Sequence, residues 1–415
     1  MEKILRGSLI LTFSNVTVRF LGYVYRILMG RMLSPYEFGL LNVALPLQYM
    51  AVILTSSGIA PSIAKFVSQH HAAEDPEKRD RTVYSSIVYF TGIGAVLGLF
   101  FYLSAAPIGM RVFHEPRVVE LIKISSLALP LGFAAASLTG TFQGFKRFDF
   151  MAITLVFQQG LRILLAVFLV FLGYEAFGAI LGSTLGFIAV MPLAFILLKR
   201  LNLGPFTHST GGFKGVFIFS LPVSATSISA FILAYIDILL IGYYLTPTDV
   251  GVYSVASPTS RLLLAFFSAL YATLVPSISE LKARGDIGEI KSHVRKAYGL
   301  SILAIIPTTF LAFYFSESII TLLFPGKGYS AAAAPFKILV IGTAFLGIFT
   351  LNSGILQGMG APKTPMKILT MAALLDILFN IVLIPIYGIQ GAATASTTSF
   401  AFAGIISTIS LKSYL

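Results

Sequence analysis

The 415-residue sequence predicts an all-α integral membrane protein: twelve transmembrane helices in two six-helix lobes that repeat in parallel. Three observations predict it. Hydrophobic residues make up 56% of the chain and charged residues only 11%, with a mean hydropathy of +0.88, where a soluble domain carries about 25% charged residues. Apolar runs of roughly 20 residues recur from end to end, each long enough to cross a hydrocarbon core of about 30 Å. The first half of the chain also reappears, in order, in the second.

Proline, glycine and charge clusters punctuate the runs and place the first six spans at roughly 4–33, 37–68, 80–105, 117–145, 148–173 and 176–201. The first opens on "MEKILRGSLILTFSNV", basic then apolar, with no small-residue cleavage site, so it reads as a retained helix rather than a signal peptide. The loop from Glu74 to Arg81 precedes the third span, Lys146 and Arg147 precede the fifth, and Lys199 and Arg200 close the sixth. The polar stretch "KRLNLGPFTHSTGGFKG", Lys199 to Gly215, is too short for a domain and reads as a linker, giving lobes 1–205 and 206–415. The second six spans follow at roughly 214–244, 248–281, 288–316, 332–359, 364–385 and 388–411.

The repeat is explicit. "GRMLSPYEFGLLNVALP" (Gly30 to Pro46) lies without gaps on "GYYLTPTDVGVYSVASP" (Gly242 to Pro258), pairing Glu37 with Asp249. "APSIA", "TGTFQG" and "YEAFGA" then match "VPSIS", "SGILQG" and "YGIQGA" in the same order. Six is even, so both halves cross the membrane in the same sense, and a substrate site is expected between them. Gln143-Gly144 and Gln357-Gly358 are repeat equivalents, with packing or a bend as the expected role.

The net charge of +12 does not indicate a nucleic-acid partner, because the basic residues punctuate hydrophobic runs instead of forming a face on a soluble domain. Their clustering on one side, as at Lys78, Arg79, Arg81, Lys199 and Arg200, predicts that both termini are cytoplasmic, and the expected location is the plasma membrane. No cysteine is present, so disulfides and thiol chemistry are excluded. "PGKGYS" lacks the spacing and the Lys-Ser/Thr step of a nucleotide-binding loop, and the five histidines fall in or near loops without metal-ligand spacing. The expectation is a monomeric non-enzyme without a cofactor.

Charges inside the spans carry the functional reading. An ionised side chain at mid-membrane costs about 2.5–3.5 kcal/mol, so it faces a cavity, a partner or the interface. Arg19, Arg26, Arg162 and Arg261 are such residues, as are Asp237 and Asp376. Snorkelling to the interface is the competing explanation, strongest for Arg26 and Arg261 near helix ends. The repeat sets Arg162 in "GLRILL" against Asp376 in "LLDILF". The first lobe therefore suits an anion and the second a cation. Asp376 and Asn380 stand one helical turn apart, and with Asp237 and Thr394 of "GAATASTTS" they offer the hard oxygens a sodium ion takes; a proton-carrying or arginine-paired aspartate is the alternative.

"RMLSPYEFGLLNVA", "LTGTFQGFKRFDFMAITLVFQQGLRILL" and "LQGMGAPKTPMKILT" resemble the multidrug/oligosaccharidyl-lipid/polysaccharide exporter superfamily, and within it the polysaccharide transporter and lipid II flippase branches. The resemblance spans essentially the whole chain. It implies a flippase that carries a polyprenyl-diphosphate-linked oligosaccharide from the cytoplasmic to the outer leaflet by alternating access, with membrane lipids and that lipid-linked substrate as its partners. By the same resemblance Arg19 matches a cavity arginine, Arg26 lies one position from another, Glu37 matches an acidic residue at the start of the second helix, and Asp237, Asp376 and Asn380 resemble sodium-binding residues. Arg162 and Arg261 join Arg19, Arg26 and Glu37 as candidate substrate contacts. The lipid II flippases keep a further arginine on helix two where this chain has Met50, which favours a different lipid-linked oligosaccharide. The alternative within the superfamily is a multidrug/cation antiporter.

Overall fold

A computed structural model describes residues 2–54, 58–205, 211–325 and 328–414, so part of the linker, 206–210, lies outside the described residues. Among these, all regular structure is helical. The first half contains α1 (Glu2–Met32), α2 (Pro35–Leu54), α3 (Ala60–Ala72), α4 (Pro76–Leu103), the single turn α5 (Ala105–Pro107), α6 (Pro116–Gly144), α7 (Phe148–Leu169) and α8 (Glu175–Lys199). The second contains α9 (Gly211–Tyr244), α10 (Pro247–Ser260), α11 (Leu264–Arg284), α12 (Ile287–Tyr314), the short α13 (Ser316–Leu323), α14 (Ala333–Gly358) and α15 (Lys363–Lys412).

Seven stretches among the described residues are long and apolar enough to cross a membrane. Two of them, Phe148–Lys199 and Lys363–Lys412, run to 52 and 50 residues. Each is two passes joined at a glycine with positive φ, Gly173 at 91° and Gly388 at 59°. With α1, the α2–α3 pair and the α10–α11 pair, which carry charges or breaks, these make the twelve expected passes.

The structure explains why the repeated motifs repeat. At the start of α2 the Ser34 hydroxyl accepts the Glu37 N–H at 3.2 Å. At the start of α10 Thr246 and Asp249 form a reciprocal capping box. The aligned Ser-Pro-x-Glu and Thr-Pro-x-Asp are thus helix-start signals that satisfy free backbone N–H groups. A side chain at Gly144 would lie 2.7 Å from Val67, and one at its equivalent Gly358 would lie 2.8 Å from Ile278. The expected packing role holds in both halves.

The "YEAFGA"/"YGIQGA" pair shows a difference. Gly388 turns the chain with φ 59°, ψ −140°, and the aligned residue of the first half, Glu175, takes the same turn with φ 48°, ψ −135°. Only glycine adopts this region without strain, which costs a side-chain-bearing residue about 1–3 kcal/mol. Glu175 contributes one ion pair, to Arg117, with its side chain 55% exposed, and such pairs contribute about 0–1 kcal/mol. Glu175→Gly is therefore expected to stabilise the protein, raising its apparent Tm by roughly 2–4 °C. Thermal unfolding of the purified protein checks this; a fall in Tm would show that the ion pair outweighs the strain.

By packing, the chain forms two compact units, Met1–Ile228 and Ser229–Leu415. The composition of the linker marks a boundary at 205/206, but Val216, with Phe213 and Phe217 against it, belongs to the core built by Phe90, Leu129, Phe142 and Leu197. The opening turns of α9 are therefore part of the first unit. In the second unit the core runs through Phe267, Ile278 and Leu351, with a further cluster around Ala372, Phe400 and Ala403.

Candidate functional site

Each unit holds a cluster of polar side chains within its helical packing at repeat-equivalent positions. In the first unit, Arg162 of α7 donates from Nη2 to the Tyr49 hydroxyl at 2.8 Å and from Nε to Ser183 Oγ at 3.2 Å. Its guanidinium lies 4.2 Å from the Tyr25 ring centroid, a cation–π distance. The Tyr25 hydroxyl and Ser183 are 3.2 Å apart, which locks Ser183 between ring and guanidinium. The close run of α8 along α7 brings these groups together: a side chain at Gly186 would lie 3.0 Å from Arg162 Cα.

Arg26 of α1 also reaches the Tyr49 hydroxyl, so Tyr49 bridges two arginines. Arg19, on the same helix, is exposed, and a side chain at Gly22 between them would lie 3.6 Å from Gln159 of α7. No carboxylate pairs with Arg19, Arg26 or Arg162 among the described residues; the seven ion pairs found lie elsewhere. Among the described residues, three guanidinium charges on one unit thus lack a carboxylate counter-charge.

Glu37 is not among them. It binds both terminal nitrogens of Arg117, Arg117 continues to Glu175, and Glu37 Oε2 accepts the Ala176 N–H at 3.3 Å. Glu37 is 5% exposed. It accepts one free N–H at the start of α8 and ties α2, α6 and α8 together. The acid that sequence grouped with the substrate contacts therefore sits in a structural clamp, because its capping position sets it beside Arg117.

In the second unit, Asp237, Tyr253, Asp376, Asn380 and Ser396 are all fully enclosed. Asp237 accepts from the Tyr253 hydroxyl and from the Ile238 N–H, both at 2.8 Å. Asn380 Nδ2 donates to the Asp376 carbonyl at 2.8 Å and to its Oδ1 at 3.1 Å. The two aspartates act on each other electrostatically, and Ser396 adjoins Asp376 and Tyr253. Asp376 Oδ2 and Asn380 Oδ1 are buried without a hydrogen-bond partner. Two orphaned oxygens beside a second carboxylate form an acceptor-rich pocket, chemically matched to a hard cation or a proton. No group of three or more His, Cys, Asp or Glu side chains that could hold a metal occurs among the described residues.

Thr394 stands apart from this pocket. It is exposed and donates its hydroxyl to Gln390 O at 2.8 Å. Each residue turns about 100° around a helix, so Ser396, two positions on, faces the aspartates and Thr394 faces away. Arg261 is anchored on the α9 carbonyls of Leu233 (3.0 Å) and Ala234 (3.4 Å) and is electrostatically coupled to Asp237 and Asp376. Its position is that of a counter-charge to the aspartates.

Sequence reading missed Tyr25, Tyr49, Ser183, Tyr253 and Ser396. One signal could have found four of these positions: carried past its ends, the repeat register sets Tyr25 on Asp237, Tyr49 on Arg261, Arg162 on Asp376 and Ser183 on Ser396. One architectural site is thus built twice, once around a cation and once around two acids.

The polysaccharide biosynthesis protein family matches residues 4–282, and the MatE family matches residues 222–382. An uncharacterized membrane protein of Methanocaldococcus jannaschii, MJ1375, is 24% identical over 99% of both chains. The lipid III flippase of Escherichia coli (strain K12) is 26% identical over 90% of this chain and 91% of its own. Among solved structures, the lipid II flippase MurJ in an inward closed conformation superposes with a TM-score of 0.82 at 18% identity, covering 97% of this chain and 87% of that one. A twofold repeat of six membrane passes, a duplicated polar site, and a family match over well more than half the sequence lead to one assignment: the chain belongs to the polysaccharide biosynthesis protein family.

Proposed function

We propose that this transporter is a flippase for a polyprenyl-diphosphate-linked oligosaccharide other than lipid II. The observation that carries the reading is the set of arginines in the first unit, Arg19, Arg26 and Arg162, which lack a carboxylate partner among the described residues. An uncompensated guanidinium is costly in an apolar setting and becomes favourable when a diphosphate arrives, through charge-assisted, two-pronged hydrogen bonds. Tyr49 holds Arg26 and Arg162 at one hydroxyl and so sets their spacing for neighbouring phosphate oxygens. The charge that Met50 fails to supply from helix two is delivered beside it by Arg162 from α7. The relatives named as lipid III and lipid II flippases support the substrate class.

The second unit would take the coupling ion. Asp237, Asp376 and Asn380 would hold sodium or a proton, with Ser396 at the edge and Arg261 limiting the net charge of the pocket. Alternating access would then carry the head group across a plasma membrane in which both termini face the cytoplasm, consistent with the basic clusters at Lys78–Arg81 and Lys199–Arg200.

Reconstituted vesicles test the reading. A fluorescent polyprenyl-diphosphate sugar is expected to become accessible to a membrane-impermeant quencher from the opposite leaflet at a rate that depends on the protein. Efflux of cationic dyes without lipid movement would replace the flippase with the antiporter that the MatE match also allows.

A further inference from the structure

A groove at the basic end of the first unit has no part in the transport chemistry above. It encloses about 390 Å³, within the range of about 300–1,000 Å³ typical of ligand sites. α4 contributes Tyr84, Ile87 and Val88, α8 contributes Phe195, Leu198 and Lys199, and Leu203 of the linker closes one end. Val88 and Phe195 are exposed, 39% and 44%, on two helices that are both membrane passes. The slot therefore opens toward acyl chains.

Its rim has the opposite character. Lys199 lines the groove and Arg200 follows it; both are exposed, and neither has a carboxylate partner among the described residues. The nearby Asp80 does not neutralise them. It is 6% exposed, accepts the Gly204 N–H at 2.7 Å and takes Arg79 Nε at 2.7 Å, so its oxygens are already engaged. Tyr84 completes a clip by donating its hydroxyl to Gly204 O at 2.8 Å. An apolar slot with unneutralised cations at its mouth complements a molecule with a hydrocarbon chain below and a phosphate above.

We propose that this groove binds an anionic membrane phospholipid, with one chain against Val88 and Phe195 and the phosphate at Lys199 and Arg200. The site is independent of the flippase reading and of the arginines near Tyr49.

Native mass spectrometry of the purified full-length chain, titrated with phosphatidylglycerol or with phosphatidylcholine of the same chains, tests the proposal. The tightest-bound phosphatidylglycerol is expected to be retained at roughly tenfold lower concentration than phosphatidylcholine. Lys199→Glu with Arg200→Glu, at exposed positions the fold tolerates, is expected to abolish that preference. Val88→Trp, which fills the slot, is expected to remove the tightest-bound lipid of either kind. Equal retention of the two lipids, or a preference unchanged in the double variant, overturns the proposal. Displacement of the bound lipid by a polyprenyl diphosphate also overturns it, by giving the groove to the transported substrate.

Discussion

Arg162→Ala is expected to slow movement of a diphosphate-linked lipid in proteoliposomes by roughly 10- to 100-fold, since hydrogen bonds to a charged group contribute about 1.5–3 kcal/mol each. The loss is concentrated on this residue because Arg162 joins three elements: it lies under Tyr25 of α1, binds Tyr49 of α2 and binds Ser183 of α8. Its removal takes away a cation and frees the Tyr49 hydroxyl that also holds Arg26. Arg162→Lys keeps the charge but not the planar fork, so an intermediate rate is expected. Tyr49→Phe keeps the ring and removes the bridging hydroxyl, and should weaken affinity for the lipid more than the maximal rate. Transport unchanged in Arg162→Ala and in Arg19→Ala would remove the anion site from the proposed mechanism while leaving the family assignment intact.

The second large effect concerns the ion. If sodium occupies the pocket around Asp237 and Asp376, it should raise the apparent Tm of the wild-type protein relative to choline at equal ionic strength. Saturation at about 100 times the dissociation constant would contribute roughly 2.7 kcal/mol, a shift of several degrees. Asp376→Asn should abolish that response, because Asp376 Oδ2 is one of the two orphaned oxygens and an amide nitrogen there repels a cation. In sodium-free buffer the same variant should be at least as stable as the wild type. It removes one of two mutually interacting buried acids while preserving shape. Thr394→Ala should leave the sodium response unchanged, since its hydroxyl is committed to Gln390 on the opposite face. A sodium response that persists in Asp376→Asn would place the ion elsewhere.

The two clusters together show how a duplicated scaffold yields opposed chemistries. At repeat-equivalent positions the first unit has Tyr25, Tyr49, Arg162 and Ser183 where the second has Asp237, Arg261, Asp376 and Ser396. The serine is shared, and the basic residue has exchanged helices. In the first unit the guanidinium is central and meets only hydroxyls and a ring, so its charge remains for a ligand. In the second, Arg261 is tied to backbone carbonyls beside two carboxylates, and the orphaned oxygens are left to a cation.

The sequence alone determined the membrane class, the passes, the duplication and the opposite signs of the two halves. These follow from hydropathy, spacing and charge, which act locally and can be read along a chain. Three matters were decided only by the tertiary structure. Glu37 became a clamp because Arg117 lies eighty positions away in sequence but against it in space. Thr394 yielded to Ser396 because the packing of α15 fixes which face of that helix looks inward. Tyr49 emerged as the bridge between two arginines because α1, α2 and α7 converge on one hydroxyl. Hydrogen bonding depends on distances of a few ångströms between residues far apart in the chain, and no pattern of neighbours along it encodes which of many polar groups will meet.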